Sequence, residues 1–332
     1  MKIFLCVADI HCQIKKEVPV VWQINRYKEL FTTLISLCKE HAADLIITGD
    51  TFERSEPELE ELQLVMEFFR HLKEEKITTY LVGGNHETIS KNISTLDFLD
   101  IGKDKTIDVH YKSHGWYLEV PEEKATFWFL NHSSLADPQW ETPDEKPKGL
   151  NILISHFRCN LGYHIKEEID VEGLLQSFDL AVCGDIHCNH EEGKLIYTNQ
   201  PINKEFQQSP ETGVLLLTLD DGTFKTKRIK TSLPALIQRN CNCVEFATLE
   251  INARDFYRVE VTGTLPELRL LTAPANVRLV KQPLVENVLT EVEEEAKELV
   301  ETTLDVDLMT YMSSLKYSES KIDRMMAVWG EV

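Results

Sequence analysis

Five apolar runs of strand length constrain the fold more than any other feature: Ile3 to Ala8, Leu45 to Thr48, Thr79 to Val82, Asn151 to Ile154 and Leu180 to Cys183. They are too short and too apolar for surface strands, which predicts that they are buried. Each is followed at once by a polar cluster: Asp9-Ile10-His11, Gly49-Asp50, Gly84-Asn85-His86-Glu87, Ser155-His156 and Gly184-Asp185-Ile186-His187. In open α/β sheets ligands bind outside the carboxyl ends of the strands, and every cluster falls at such an end. The polar side chains are therefore expected to converge at one edge.

The residue types are those of a two-metal hydrolytic site. Two divalent ions held close together orient a water or hydroxide for in-line attack on phosphorus and stabilise charge on the phosphate oxygens and the leaving group. Such a site needs a bridging carboxylate. Asp50, directly after Gly49 with no Cβ to obstruct the turn, is assigned to that bridge. Asp9, His11 and His187 would complete the set for one ion, and Asn85, His156 and Asp185 the set for the other. Mixed nitrogen and oxygen donors suit manganese, iron or zinc better than magnesium or calcium. His86 is left over. Beside Asn85 but not needed as a ligand, it is suited to contact the phosphate and protonate the leaving oxygen as a general acid. Taken singly the clusters say little, since Asp-x-His after a strand is more often a solvated turn and Gly-Asp is an ordinary turn dipeptide. Their order, each behind a strand-like run, outweighs that reading.

With these clusters the chain resembles the calcineurin-like metallophosphoesterases. Within that group it is most similar to the nuclease branch: the SbcD-type exonuclease subunit of bacteria, its phage counterparts, and the eukaryotic and archaeal recombination nuclease. The resemblance covers residues 1 to about 230 well and the remainder loosely. It implies two manganese ions held by Asp9, His11, Asp50, Asn85, His156, Asp185 and His187, assistance from His86, and DNA phosphodiesters as substrate. Three positions depart from the pattern. Asp185 stands where the family's last cluster has a histidine; it can ligate through oxygen and adds negative charge. Glu53 stands where a phosphate-contacting histidine is common, and if it faced the site it would repel phosphate. Glu87 gives Gly-Asn-His-Glu, a form shared with the protein serine/threonine phosphatases, but Cys12 and Thr51-Phe52-Glu53-Arg54 do not fit those enzymes.

A chain of 332 residues with 42% hydrophobic content predicts a globular protein of more than one domain. The N-terminus enters a strand without a cleavage pattern, and no run is long enough to span a membrane, so a cytoplasmic location is expected. Eight scattered cysteines agree, and Cys6, Cys38 and Cys183 are expected as buried thiols. A net charge of -20 argues against a chain that holds DNA by its own electrostatics. Lys15, Lys16, Lys91, Arg158 and Lys166 lie in the site loops, either as solvated charges or as DNA contacts.

The expected fold is α/β: a two-sheet sandwich flanked by helices over residues 1–232, a small α+β cap over 250–283, and a helical tail over 284–332. Helices are predicted at Trp22 to His41 and Pro57 to Lys73, and Thr231 to Thr248, without clear periodicity and holding Pro234, marks a domain boundary. The tail carries acidic residues and then Leu308, Met309, Tyr311, Met312, Met325, Met326 and Trp329, which either fold onto the cap or dock on a partner. The resemblance implies an SbcC-type coiled-coil ATPase as that partner, a homodimer, and a cap that helps position DNA. Two other classes stay open: a phosphodiesterase for small substrates, and a non-catalytic assembly subunit with a decayed site.

Overall fold

The computed structural model describes residues 1–101, 107–135, 147–159, 171–208 and 211–284. The expected tail beyond Leu284, Lys166, and most of the loop 137–149 lie outside the described residues. The chain divides into two compact units, one of Met1–Ile237 with Asn252–Phe256, the other of Gln238–Ile251 with Tyr257–Val332.

Numbered in chain order, the strands of the first unit form two six-stranded sheets. One runs β14 (Thr223–Thr231), β13 (Thr212–Asp220), β1 (Lys2–Val7), β2 (Asp44–Thr48), β3 (Thr79–Val82), β6 (Val109–His110). The other runs β11 (His190–Glu192), β12 (Leu195–Tyr197), β10 (Leu180–Gly184), β9 (Leu150–His156), β8 (Ala125–Leu130), β7 (Trp116–Val120). A short hairpin, β4 (Thr88–Ser90) with β5 (Ile93–Ser94), follows the third cluster. β1, β2 and β3 pair in parallel, as do β8, β9 and β10, so their carboxyl ends point the same way within each sheet.

Alternation along the strands builds three layers of packing. Phe4, Cys6, Ile46 and Val82 of the first sheet meet Phe127, Phe129, Ile152, Ile154 and Val182 of the second in the sandwich core. Leu5, Val7, Leu45 and Ile47 face the other way, onto helices α1 (Val20–His41) and α2 (Leu59–Glu74). In α1 the buried Tyr27, Leu30, Phe31, Leu34 and Cys38 recur at helical spacing, and Phe31 stacks on Phe68 of α2 with centroids 4.3 Å apart. Each buried phenylalanine contributes about 1.5–3 kcal/mol. The outer face of the second sheet buries Trp128, Leu153, Ala181, Cys183 and Tyr197. Burial on both faces is why these strands read as unbroken apolar runs.

The β13–β14 hairpin turns through Asp221 and Gly222, both at positive φ, and β13 pairs antiparallel with β1, closing the first sheet. The segment 231–248, expected as a domain boundary without clear periodicity, holds β15 (Leu236–Asn242) and a short helix, Cys243–Ala247. Asn242 caps that helix in a capping box with Glu245, a local signal that overrides weak periodicity. β15 pairs with β16 (Phe256–Gly263), and β16 pairs in parallel with β17 (Val277–Pro283) through the helix Leu265–Leu270. Tyr257, Val259 and Val261 bury this small sheet's inner face.

Candidate metal centre

The polar clusters meet where the ends of β1, β2 and β3 approach those of β9 and β10, so the site is a seam between two sheets and not the edge of one. Tight turns make this possible. Asp9, His11, Asp50, Asp185 and His187 all sit at positive φ, between 47° and 111°, a region that side chains normally avoid. Each such residue costs on the order of 1–3 kcal/mol, tolerated where the surroundings over-determine it. Here they do. Asp9 N–H donates to Gly49 O (3.2 Å) and His11 N–H to Asp50 O (2.9 Å), which ties the first two loops together. Asp185 N–H donates to Asp9 Oδ1 at 3.1 Å, linking the sheets. A Cβ on Gly49 (φ 95°) would stand 2.2 Å from His156 Nδ1, so the glycine is required by the histidine packed over it.

Asp50 lies at the centre of two donor sets. On one side the ligand atoms of Asp9, His11, Asp50 and His187 all fall within 4.8 Å of one another. His11 Nε2 is 2.9 Å from His187 Nε2 and 3.5 Å from Asp50 Oδ2. On the other side His156 Nε2 is 3.3 Å from the same Asp50 Oδ2, 2.9 Å from Asn85 Oδ1 and 3.9 Å from Asp185 Oδ1. Donors bound about 2 Å from a common ion stand roughly 3 Å apart, so both sets suit divalent cations, with Asp50 shared. His86 stands apart from both. Its Nε2 is 3.9 Å from Asp50 Oδ2, its Nδ1 meets the main-chain carbonyl of Glu53, and its side chain is 29% exposed.

Charge differs between the two sets. Burial alone disfavours imidazolium, yet His156 is raised to about 10 because Asp50, Asp9 and Asp185 surround it. Burial likewise works against the Asp50 carboxylate, and His156, by charge and hydrogen bond, holds it below the usual range. Burial also raises Asp9, with Asp50 and Asp185 adding repulsion against the pull of His156. In the set that Asp9 shares with His11 and His187, burial lowers His11, and burial with His11 and Lys204 lowers His187 to about 3.

Two of the departures from the family pattern take unexpected places. Glu53 does not turn toward substrate space to repel phosphate. Its Oε2 lies 2.9 Å from His11 Nδ1 and 3.2 Å from Lys204 Nζ, and against the opposing effect of burial His11, Lys204 and His86 lower its carboxyl to about 2. Asp185 receives both Nε and a terminal nitrogen of Arg158, at 2.8 and 3.1 Å. Arg158 is therefore the partner of a candidate ligand and not a solvated loop charge.

Several contributors were assigned no role from the sequence. Glu87, fully buried, accepts from the main-chain N–H of Phe52 (2.7 Å), Gly84 (2.8 Å) and Asp50 (3.2 Å), clasping the second and third loops. Burial and the nearby Asp50 raise its carboxyl to about 7. The amide of Gln208 donates to His187 Nδ1 at 3.2 Å, while its oxygen accepts from Lys204 N–H at 2.8 Å. The far nitrogen of His156 meets Thr48 O at 2.8 Å. Only Glu87 lay inside a cluster, where its place after Asn85-His86 could have drawn notice.

Residues 3–189, more than half of the 332-residue chain, match the family described as Calcineurin-like phosphoesterase. Over 98 residues the chain is 28% identical to the DNA double-strand break repair protein Mre11 of Archaeoglobus fulgidus, covering 29% of this chain and 22% of that protein. The chain is thus matched over less than a quarter of that curated relative's length. Among solved structures it is similar to the purple acid phosphatase PPD1 from yellow lupin (Lupinus luteus) seeds, at 13% identity and TM-score 0.40, over 68% of this chain and 51% of that one. It is also similar to a novel archaeal phosphodiesterase, at 9% identity and TM-score 0.36, over 68% of this chain and 99% of that one. At such scores neither bears on substrate. The extent of the family match, with two carboxylate–histidine sets gathered at the strand ends it spans, places this chain in the calcineurin-like phosphoesterase family, whose chemistry is metal-dependent hydrolysis of phosphoesters.

Proposed function

We propose that the chain is a nuclease subunit that cuts DNA phosphodiesters, as an exonuclease on duplex ends and an endonuclease on single strands, in recombination and repair. The partial likeness to the archaeal repair protein supports DNA as the substrate. The observation that carries the reading is His86, half-exposed above a buried donor set, which is the arrangement for acid assistance to a leaving oxygen. Mixed imidazole, carboxylate and amide donors suit manganese, iron or zinc, and the resemblance to the nuclease branch favours manganese among them. In this reading the chain works in the cytoplasm, as a homodimer with an SbcC-type coiled-coil ATPase. The cysteines are all free, in keeping with a reducing compartment, and no described helix is long and apolar enough to cross a membrane. A partner that supplies basic surface would account for a nuclease of net charge -20.

When bound, the two ions supply charge stabilisation on the phosphate oxygens and orientation of the attacking water. The rest falls to the chain. Asp50 holds the two sets in register, and the far nitrogens of His11, His187 and His156 are engaged by Glu53, Gln208 and Thr48, which keeps the rings from turning. His86 keeps Nδ1–H on the Glu53 carbonyl and delivers the proton on Nε2 to the departing oxygen.

A second reading, hydrolysis of a small phosphodiester, is favoured by the same acidic balance, because a substrate with one phosphate needs no basic track. The decisive experiment treats end-labelled linear duplex and circular single-stranded DNA with the purified chain plus manganese, magnesium or chelator, beside His86→Asn. Manganese-dependent cleavage lost in the variant supports the nuclease. Absence of cleavage with the ATPase added, alongside hydrolysis of a chromogenic diester, establishes the small-substrate reading instead.

A further inference from the structure

We propose that Glu53 is the positioning residue of this centre, its side chain fixing the ring of His11 and its main-chain carbonyl fixing the ring of His86. The proposal rests on the metal-dependent phosphoesterase assignment and not on DNA as the substrate.

The geometry is built, not incidental. Residues 50–53 are held by the Glu87 carboxylate at Asp50 N and Phe52 N, by the bridge between Cys12 and Phe52, and by Glu53 N–H on Cys12 O at 3.4 Å. Phe52 is fully buried in the core under α1 and α2, so the main chain at Glu53 has little room to shift. From that anchor the side chain reaches His11 Nδ1 at 2.9 Å, and Lys204, itself only 12% exposed, clamps the same oxygen at 3.2 Å. His11 Nδ1 is buried and makes no aligned hydrogen bond among the described residues, so the Glu53 carboxylate, 2.9 Å away, is the nearest group able to receive its proton. A proton held on Nδ1 leaves the lone pair on Nε2, the nitrogen that faces Asp9, Asp50 and His187. The carbonyl of the same residue receives Nδ1–H of His86 and leaves Nε2 of that ring facing the site.

His11, Glu53 and His86 also have the composition of a third ion site, with ligand atoms inside 4.8 Å. Two facts oppose that. An ion on His11 Nδ1 would require a ring stripped of both protons, since Nε2 already faces the donor set. Lys204 is also seated on the very oxygen such an ion would use.

The split between side chain and main chain gives the test. Glu53→Leu removes the acceptor for His11 but keeps the carbonyl for His86. Calorimetric titration of the full chain with manganese is expected to show a 10–100-fold loss of affinity at one ion, the loss typical when a group that orients a metal ligand is removed. Turnover of a chromogenic phosphodiester should return to within a few fold of wild type once manganese is saturating. Glu53→Gln, whose amide oxygen still accepts, should fall between the two. Nitrogen-15 spectra of the metal-free chain should show His11 as the Nδ1–H tautomer in wild type and a mixture in Glu53→Leu. Thermal unfolding of each variant separates these effects from loss of the fold. Unchanged manganese affinity in a folded Glu53→Leu overturns the proposal, as does a turnover loss that saturating manganese does not restore. Wild-type protein that binds no manganese overturns the metal assignment itself, and the wild-type titration alone identifies that case.

Discussion

His11 and His156 are both fully buried and both touch Asp50, and yet their affinities for a proton are shifted in opposite directions. The His11 ring is pushed toward neutrality by burial, with Lys204 adding to it, against the opposing pull of Glu53 and Asp50. Around His156 the near charges are the carboxylates of Asp50, Asp9 and Asp185, and they raise it to about 10 despite the same burial. Burial opposes a proton on both rings; at His11 it prevails over Glu53 and Asp50, whereas at His156 three carboxylates prevail over it. The His156 ring holds a proton that an arriving ion must displace, while the His11 ring is shifted toward the neutral form that ligates.

The strongest way to break the comparison is to remove the residue both halves share. Asp50→Asn should abolish phosphodiester turnover and cost more than ~100-fold in metal affinity, above the loss expected for a residue that only orients a ligand; calorimetry and a chromogenic diester measure both. His86→Asn should lower turnover by about 10²–10⁴ with metal affinity unchanged, since His86 belongs to neither half. The difference in protonation sharpens into a pH dependence. Because the His156 proton leaves only near pH 10, affinity for the ion it holds should rise about tenfold per pH unit through neutrality, with the His11 set showing a shallower rise. Calorimetry in buffers of different ionisation enthalpy counts the protons released, and equal release from both ions would refute the contrast. Without metal the sign reverses. The raised His156 stabilises the fold fully below its ordinary pKa of 6.5, and that contribution is lost as pH rises toward about 10.

Smaller effects follow. Gly49→Ala places a Cβ against His156 and strains a positive φ, and should cost on the order of 1–3 kcal/mol or more in denaturant unfolding. Arg158→Leu should do the opposite of damage. Freed of its bidentate partner, Asp185 should bind an ion up to about fivefold more tightly, the modest scale of a half-exposed ion pair, and a loss of affinity would show that Arg158 holds Asp185 in place for the ion.

Much of this centre was legible in the chain because its donors follow their strands directly. Asp9 and His11 after β1, Asp50 after β2, Asn85 after β3, His156 at the end of β9 and Asp185 and His187 after β10 are each displaced only a turn from a buried strand, and the apolar runs reveal the strands. The helices were legible for the same reason, from the spacing of Tyr27, Leu30, Phe31 and Leu34 in α1. What escaped was the second layer of contacts. Glu53 on His11, Gln208 on His187 and Arg158 on Asp185 join residues from different loops, and no period or motif links them. The small sheet's first strand was missed because Leu236–Asn242 is half-exposed and lacks alternation, its position set instead by pairing with β16.

By itself the sequence determined which residue types would stand at the strand ends, because a buried strand must be apolar and the first exposed turn after it is where polar chemistry can begin. Only the tertiary structure decided what those residues would do to one another. Distances of about 3 Å between loops of two different sheets set who donates, who accepts and which ring keeps its proton, and such short-range electrostatics depend on positions that no local pattern encodes.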